Sequence, residues 1–220
     1  MTYTHLLFDL DGTLFDFDAG ETYAFHKVCD TFHIPYSDEV LSLYQRINLS
    51  YWKAYERGEI TSAALAIARF HDFLAAVGKD GDPALMCQFY QTSLGEDCTP
   101  IHDALRVCSI LYERGYKFSI ITNGRSTTQH SRLSHSELTP MISEELGCQK
   151  PKKEFFDAVF SKLQISVSKA LVIGDSLTSD IIGGIQYGID TCWFNPNGSD
   201  NTMSQAPTYE IKQLSELLSI

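Results

Sequence analysis

No apolar run in this 220-residue sequence is long enough to span a bilayer, which excludes a transmembrane helix. The first residues lack a basic start followed by an apolar core, so no secretory signal is expected and a cytoplasmic location is. Six cysteines are scattered as Cys29, Cys87, Cys98, Cys108, Cys148 and Cys192. None forms a Cys-x-x-Cys pair and no histidine cluster has zinc spacing, so free thiols are expected, not a disulfide or zinc framework. There is no internal repeat, low-complexity tract or charge block. Basic charge is also scarce: 17 Lys and Arg face 28 Asp and Glu, a net charge of −11. That balance argues against a nucleic acid polymer or an anionic membrane as partner. It does not exclude a small phosphate ester, because local cations or a metal overrule the global field. What remains is an ordinary globular composition, 44% hydrophobic and 20% charged, with enough chain for one large domain or two smaller ones.

The chain is organised around His5-Leu6-Leu7-Phe8-Asp9-Leu10-Asp11-Gly12-Thr13-Leu14-Phe15. Leu6 to Phe8 reads as a buried strand. It runs into two carboxylates one residue apart, then a glycine that permits a sharp turn. If extension continues through Leu10, Asp9 and Asp11 face the same side. Like charges held that close call for a cation, a shared proton or solvent. Mg²⁺ suits such oxygen ligands. Taken alone, the same residues also describe a strand ending in a solvated acidic turn.

Helical spacing then takes over. Phe25, Val28 and Phe32 mark one helix, and Ser37 caps a second that carries Val40, Leu41, Tyr44 and Ile47. Thr61 or Ser62 starts a third, ending at Gly78, and Asp82-Pro83 starts a fourth, running to about Gly95. Residues 18–95 therefore read as an all-helical insert, and 1–17 with 96–220 as the core around it. From Thr99-Pro100 a further helix is expected through Leu111. Strand and helix then alternate: a strand Phe118–Ile121, a polar helix Ser126 to Leu138, an ambiguous stretch Pro140–Glu145, and a helix after Lys150-Pro151. A strand Ala170–Ile173, a helix from about Thr178 to Tyr187, a strand Thr191–Phe194 and a short final helix complete the chain. Strands separated by helices imply parallel crossovers, so the expected fold is α/β, a doubly wound Rossmann-like core with a parallel sheet. Sites in such sheets lie at the carboxyl ends of the strands. Asp9, Thr122 and Asp175 each follow an apolar strand at that end.

The residue types suit phosphoryl transfer. Asp9 can attack phosphorus, and Asp11 can serve as acid and then base. Asp9 and Asp175 can ligate a metal, with Asp180 supporting its water shell. The Thr122 hydroxyl and the Asn123 and Gly124 amides can bind phosphate oxygens, and Lys150 can offset the negative charge. Each piece alone has a plainer explanation: Thr122-Asn123-Gly124 as a turn, Gly174-Asp175-Ser176 as a helix cap, Lys150 as a solvated charge. Their joint order along the chain favours catalysis.

With Asp9-Leu10-Asp11-Gly12-Thr13, Ile121-Thr122-Asn123-Gly124, Lys150-Pro151 and Gly174-Asp175-Ser176 through Asp180, the sequence resembles the haloacid dehalogenase-like hydrolase superfamily. The resemblance implies Asp9 as nucleophile, Asp11 as acid/base and as a Mg²⁺ ligand through its backbone carbonyl. It implies Thr122 and Lys150 as phosphate ligands, Asp175 as Mg²⁺ ligand, and the helical insert as a cap. Thr13 to Asp18, the segment from Asn48 to Thr61, Arg69-Phe70, Ile142 to Gly147 and Asp180 to Ile185 resemble the house-cleaning pyrimidine 5′-nucleotidase branch. The segment between Leu133 and Ile142 is shorter than that pattern, so a clipped strand before Lys150 is expected. Phe17, Asn48, Tyr51, Trp52 and Arg69 are candidates for substrate specificity, with Tyr51, Trp52 and Tyr55 as a possible aromatic cluster. The expected substrate is a small phosphate monoester, a pyrimidine nucleoside monophosphate first, phosphoglycolate or a sugar phosphate second. A non-catalytic ligand-binding protein is the different-class alternative. A monomer or homodimer is expected.

Overall fold

The structure is a computed structural model that describes residues 2–136, 138 and 140–220. In chain order it contains β1 (His5–Phe8), α1 (Phe17–Thr31), α2 (Asp38–Glu56), α3 (Ser62–Val77), α4 (Pro83–Glu96), α5 (Ala104–Glu113), β2 (Lys117–Thr122) and α6 (Ser126–Arg132). β3 (Pro140–Ile142), α7 (Ser143–Leu146), α8 (Lys153–Leu163), β4 (Ala170–Gly174), α9 (Ile182–Tyr187), β5 (Asp190–Phe194) and β6 (Tyr209–Ile211) follow. The chain divides into two compact units. One holds Met1–Phe17, Thr99–Ser126 and Leu133–Ile220; the other holds Asp18–Cys98 and Thr127–Arg132.

In the first unit the six strands pair in parallel in the order β3-β2-β1-β4-β5-β6. The order reverses between β1 and β4, where a doubly wound sheet opens a crevice at its carboxyl edge. Strand alternation sends Leu6 and Phe8 to one face and Leu7 to the other. On the first face they join Leu171, Ile173, Val107 and Leu111 of α5, and Leu214 and Leu217 of a final 3₁₀ turn. On the second, Leu7 joins Val172, Ile121 and the Phe155, Phe156 and Val159 ridge of α8. Both faces are covered, which is why these strands read as unbroken apolar runs.

The helical unit is built as its end signals suggest. Ser37 accepts from the Val40 amide, Thr61 from Ala64, and Asp82 from Ala84 and Leu85. Its core stacks Phe25 on Tyr44 at 4.4 Å, with Phe70, Phe73 and Tyr90 around them. Thr127–Arg132 joins this unit through polar contacts. Ser131 Oγ donates to the Gly95 carbonyl, and Arg132 Nε to that of Asp97.

Several local expectations are corrected. The helix expected from Thr99-Pro100 begins only at Ala104. Residues 99–101 are held extended instead, because Asp16 N donates to Thr99 O, Ile101 N donates to Leu14 O, and Phe15 bridges Pro100. The helix expected to reach Leu138 ends at Arg132. Ser136 N then closes a turn onto Leu133 O, and the expected continuation through Glu137 lies outside the described residues. The helix expected from Thr178 begins as a wide π-type turn, Leu177–Ile181, before α9. Strand β6 had no expectation behind it. The clipped strand before Lys150 exists as β3, three residues paired to Ile120, Ile121 and Thr122 of β2.

Candidate active site

Strand β1 continues its ladder one residue past Phe8, since Asp9 N donates to Ile173 O at 2.8 Å. This fixes Asp9 at the carboxyl edge beside the end of β4. The next residues fold into a tight turn: Leu14 N and Phe15 N both donate to Leu10 O, and Gly12 N donates to Phe15 O. Gly12 takes φ +80°, and a Cβ there would lie 2.7 Å from Asp175 Oδ2. Two constraints, handedness and space, thus demand glycine at this position. Asp11 is half-buried in this turn.

Asp9, Asp175 and Asp180 each place a carboxylate oxygen within 4.8 Å of the others. Asp175 follows β4. Thr13, fully buried, donates to its Oδ1 at 3.3 Å, and the indole N–H of Trp193 on β5 donates to its carbonyl at 2.9 Å. Asp180 is fully buried and accepts from Ser176 N. Lys150 joins them, only 1% exposed. Its ammonium donates to Asp9 Oδ1 at 2.6 Å, to Asp180 Oδ1 at 2.6 Å and to the Ile121 carbonyl at 2.8 Å. Three donors meet three acceptors, so the buried charge is fully hydrogen-bonded.

The electrostatics follow from crowding. Burial pushes Asp9 well above the ordinary carboxylate range; Lys150 opposes the shift, while Asp180 and Asp175 add to it. Asp175 has a solvent-exposed surface, yet its carboxyl lies against Gly12 and accepts from the buried Thr13 hydroxyl. Desolvation first and the Asp180 charge second push it up to about 7. Burial works against the Lys150 charge, but Asp180 and Asp9 outweigh it and hold the ammonium above its ordinary range. With every carboxylate ionised, the three aspartates around one ammonium would carry two net negative charges, the charge a single divalent cation cancels. An all-oxygen donor set of this kind suits a hard ion such as Mg²⁺.

Thr122 ends β2, buried, and its hydroxyl oxygen accepts from Gly124 N at 3.0 Å. The Gly124 amide expected to face phosphate is therefore turned onto Thr122. The first amide of α6, at Ser126, donates to Glu144. Asn123 is half-buried, and its side chain pairs with the backbone of Lys150 in both directions.

The specificity candidates do not form one cluster. Asn48 and Arg69 meet inside the helical unit, where Arg69 Nη1 donates to Asn48 Oδ1 and Asn48 Nδ2 to buried Glu21. Arg69 also lies over the Tyr90 ring at 4.7 Å. Tyr51 donates to Asp72, while Trp52 meets Tyr55 edge-on at 5.8 Å. Phe17 is half-buried as the first residue of α1. Sequence reasoning gave no role to Thr13, Trp193 or the Asn123 side chain. A tryptophan in an otherwise apolar strand was the available signal, since a buried indole N–H needs an acceptor.

Residues 3–188 match the family model described as haloacid dehalogenase-like hydrolase. The Bacillus subtilis protein YfnB is 40% identical, covering 99% of this chain and 95% of its own. The crystal structure of magnesium-bound YfnB superposes with a TM-score of 0.92 at 39% identity, covering 100% of this chain and 98% of that one. The pyrimidine 5′-nucleotidases PynA of Streptococcus pneumoniae and YjjG of Escherichia coli are 36% and 31% identical. Each alignment covers 99% of this chain, with 94% of PynA and 97% of YjjG. From its carboxylate site to its near-full-length relatives, this chain belongs to the haloacid dehalogenase-like hydrolase family.

Proposed function

We propose that this hydrolase is a Mg²⁺-dependent phosphomonoesterase acting through an aspartyl phosphate, with pyrimidine nucleoside monophosphates as its first substrate class. The observation that carries the reading is the meeting of Asp9, Asp175, Asp180 and Lys150 at one sheet edge. Mg²⁺ would be held by the Asp9 and Asp175 carboxylates and the Asp11 carbonyl, with Asp180 supporting it; bound there, it neutralises charge on the phosphoryl group. Asp9 Oδ forms a bond to phosphorus as the ester P–O bond breaks. Asp11 gives its proton to the departing alkoxide. Water then attacks phosphorus, Asp11 takes the water's proton, and the Asp9–phosphorus bond breaks to release inorganic phosphate. Lys150 and the Thr122 hydroxyl stabilise the charge that builds on the phosphoryl oxygens.

The nucleotide preference draws on PynA and YjjG, each named as a pyrimidine 5′-nucleotidase and aligned along nearly the whole chain. In this proposal the helical unit acts as the cap that selects the leaving group, with Phe17, Asn48, Tyr51, Trp52 and Arg69 as its specificity candidates. The test is a panel of phosphate esters with Mg²⁺ and with EDTA. Metal-dependent release of phosphate from pyrimidine nucleoside monophosphates is expected. Preference for phosphoglycolate or a sugar phosphate would overturn the nucleotide assignment. No metal-dependent release from any ester would overturn the phosphatase.

A further inference from the structure

Lys150 reaches the site on a flexible stem of four methylenes, so its aim depends on how its backbone is held. The residue after it is Pro151, which offers no N–H, and Lys150 itself lies in a turn in which Lys152 N donates to Gln149 O. The segment lies outside the strand pairing of the sheet, since the β2–β3 ladder ends at Thr122 and Ile142. Instead, the side-chain amide of Asn123 takes the place of a strand. Its Oδ1 accepts from Lys150 N at 2.9 Å, and its Nδ2 donates to Lys150 O at 3.0 Å. Asn123 directly follows the last residue of β2, and β2 also supplies the Ile121 carbonyl that receives the Lys150 ammonium. One strand end therefore fixes both ends of the lysine: its backbone through Asn123 and its tip through Ile121.

We infer that Asn123 is a positioning residue for Lys150, acting through its side-chain amide and not through a contact with substrate. Leucine and ionised aspartate approximate the shape of asparagine, but neither presents one donor and one acceptor to the same residue. The activity arm of the inference rests on the phosphatase reading; the structural arm does not.

The experiment combines kinetics, a melting curve and a crystal structure for Asn123→Ala, with Asn123→Asp as a near-isosteric second variant should the alanine protein fail to fold. Misplacing a catalytic group by about 1 Å can cost about 10²-fold in rate. A fall of that order in kcat is expected, with a Lys150 ammonium no longer within hydrogen-bond reach of Asp9. In a Lys150→Met background the same Asn123 change is expected to cost less than about twofold more, because residues acting as a unit are not additive. Equal fold-losses in the two backgrounds, or an unmoved Lys150 in the variant crystal, would overturn the inference. Should the parent protein hydrolyse no ester, the functional reading fails, and the position of Lys150 in the variant crystal still decides this one.

Discussion

At the scale of single residues, Lys150 and the three aspartates are one electrostatic object. Removing a partner from a buried, hydrogen-bonded charge group typically costs about 3–5 kcal/mol. Lys150→Met is therefore expected to destabilise the metal-free protein by about that amount, measured by urea titration in EDTA, and Mg²⁺ is expected to restore part of the loss. Asp9→Asn removes the proposed nucleophile while leaving a similar shape. Turnover of the best ester is expected to fall by at least about 10³-fold, and full activity would exclude Asp9 from that role. The pH dependence has a definite sign. The Asp175 carboxyl, held at about 7 against an ordinary 3.8, binds its proton more tightly in the folded protein than in the unfolded chain. Its contribution favours the fold at low pH and is lost as pH rises through about 7. In EDTA, the wild-type protein is expected to gain stability relative to Asp175→Asn as pH falls from about 8 to about 5. Over the same range Mg²⁺ is expected to bind more weakly, since protons compete for its ligands.

At the scale of elements, the site depends on strand ends that accept close neighbours. Gly174 closes β4, and a Cβ added there would stand 2.3 Å from the Asp180 carboxyl carbon. Asp180 is fully buried, so it has little room to retreat. Gly174→Ala is expected to cost about 1–3 kcal/mol in a thermal melt and to weaken Mg²⁺ binding with it. Much of this architecture was legible in the sequence. The apolar runs Leu6–Phe8 and Ala170–Ile173 announced buried parallel strands, and Ser37, Thr61 and Asp82 announced helix starts through their capping chemistry. Strand β6 was not legible because Tyr209-Glu210-Ile211 is too short to show a period. The false helix start at Thr99-Pro100 had good local chemistry, but tertiary bonds to the loop 14–16 overrode it. For the same reason the burial of Lys150 was invisible. A lysine before a proline reads as solvated until two carboxylates, 141 and 30 residues distant in sequence, are seen to meet it.

At the scale of the whole molecule, the net charge of −11 and the crowding of three aspartates around one lysine favour divalent cations over polyanions. A ligand that binds only the folded state at a hundred times its Kd adds about 2.7 kcal/mol of stability. Saturating Mg²⁺ is expected to raise the melting temperature accordingly, EDTA to reverse it, and Na⁺ at matched ionic strength to have little effect. Asp180→Asn is expected to blunt the response. Among the described residues no helix is long and apolar enough to cross a membrane.

The ammonium of Lys150 ties together chain segments that end three different strands or follow them: Asp9 after β1, Ile121 within β2 and Asp180 beyond β4. A genetic screen that scores colonies for lost enzyme would recover changes at residue 150 through proteolysis of poorly folded chains as readily as through failed chemistry. Intracellular abundance must therefore be measured beside activity before any allele at this position is interpreted.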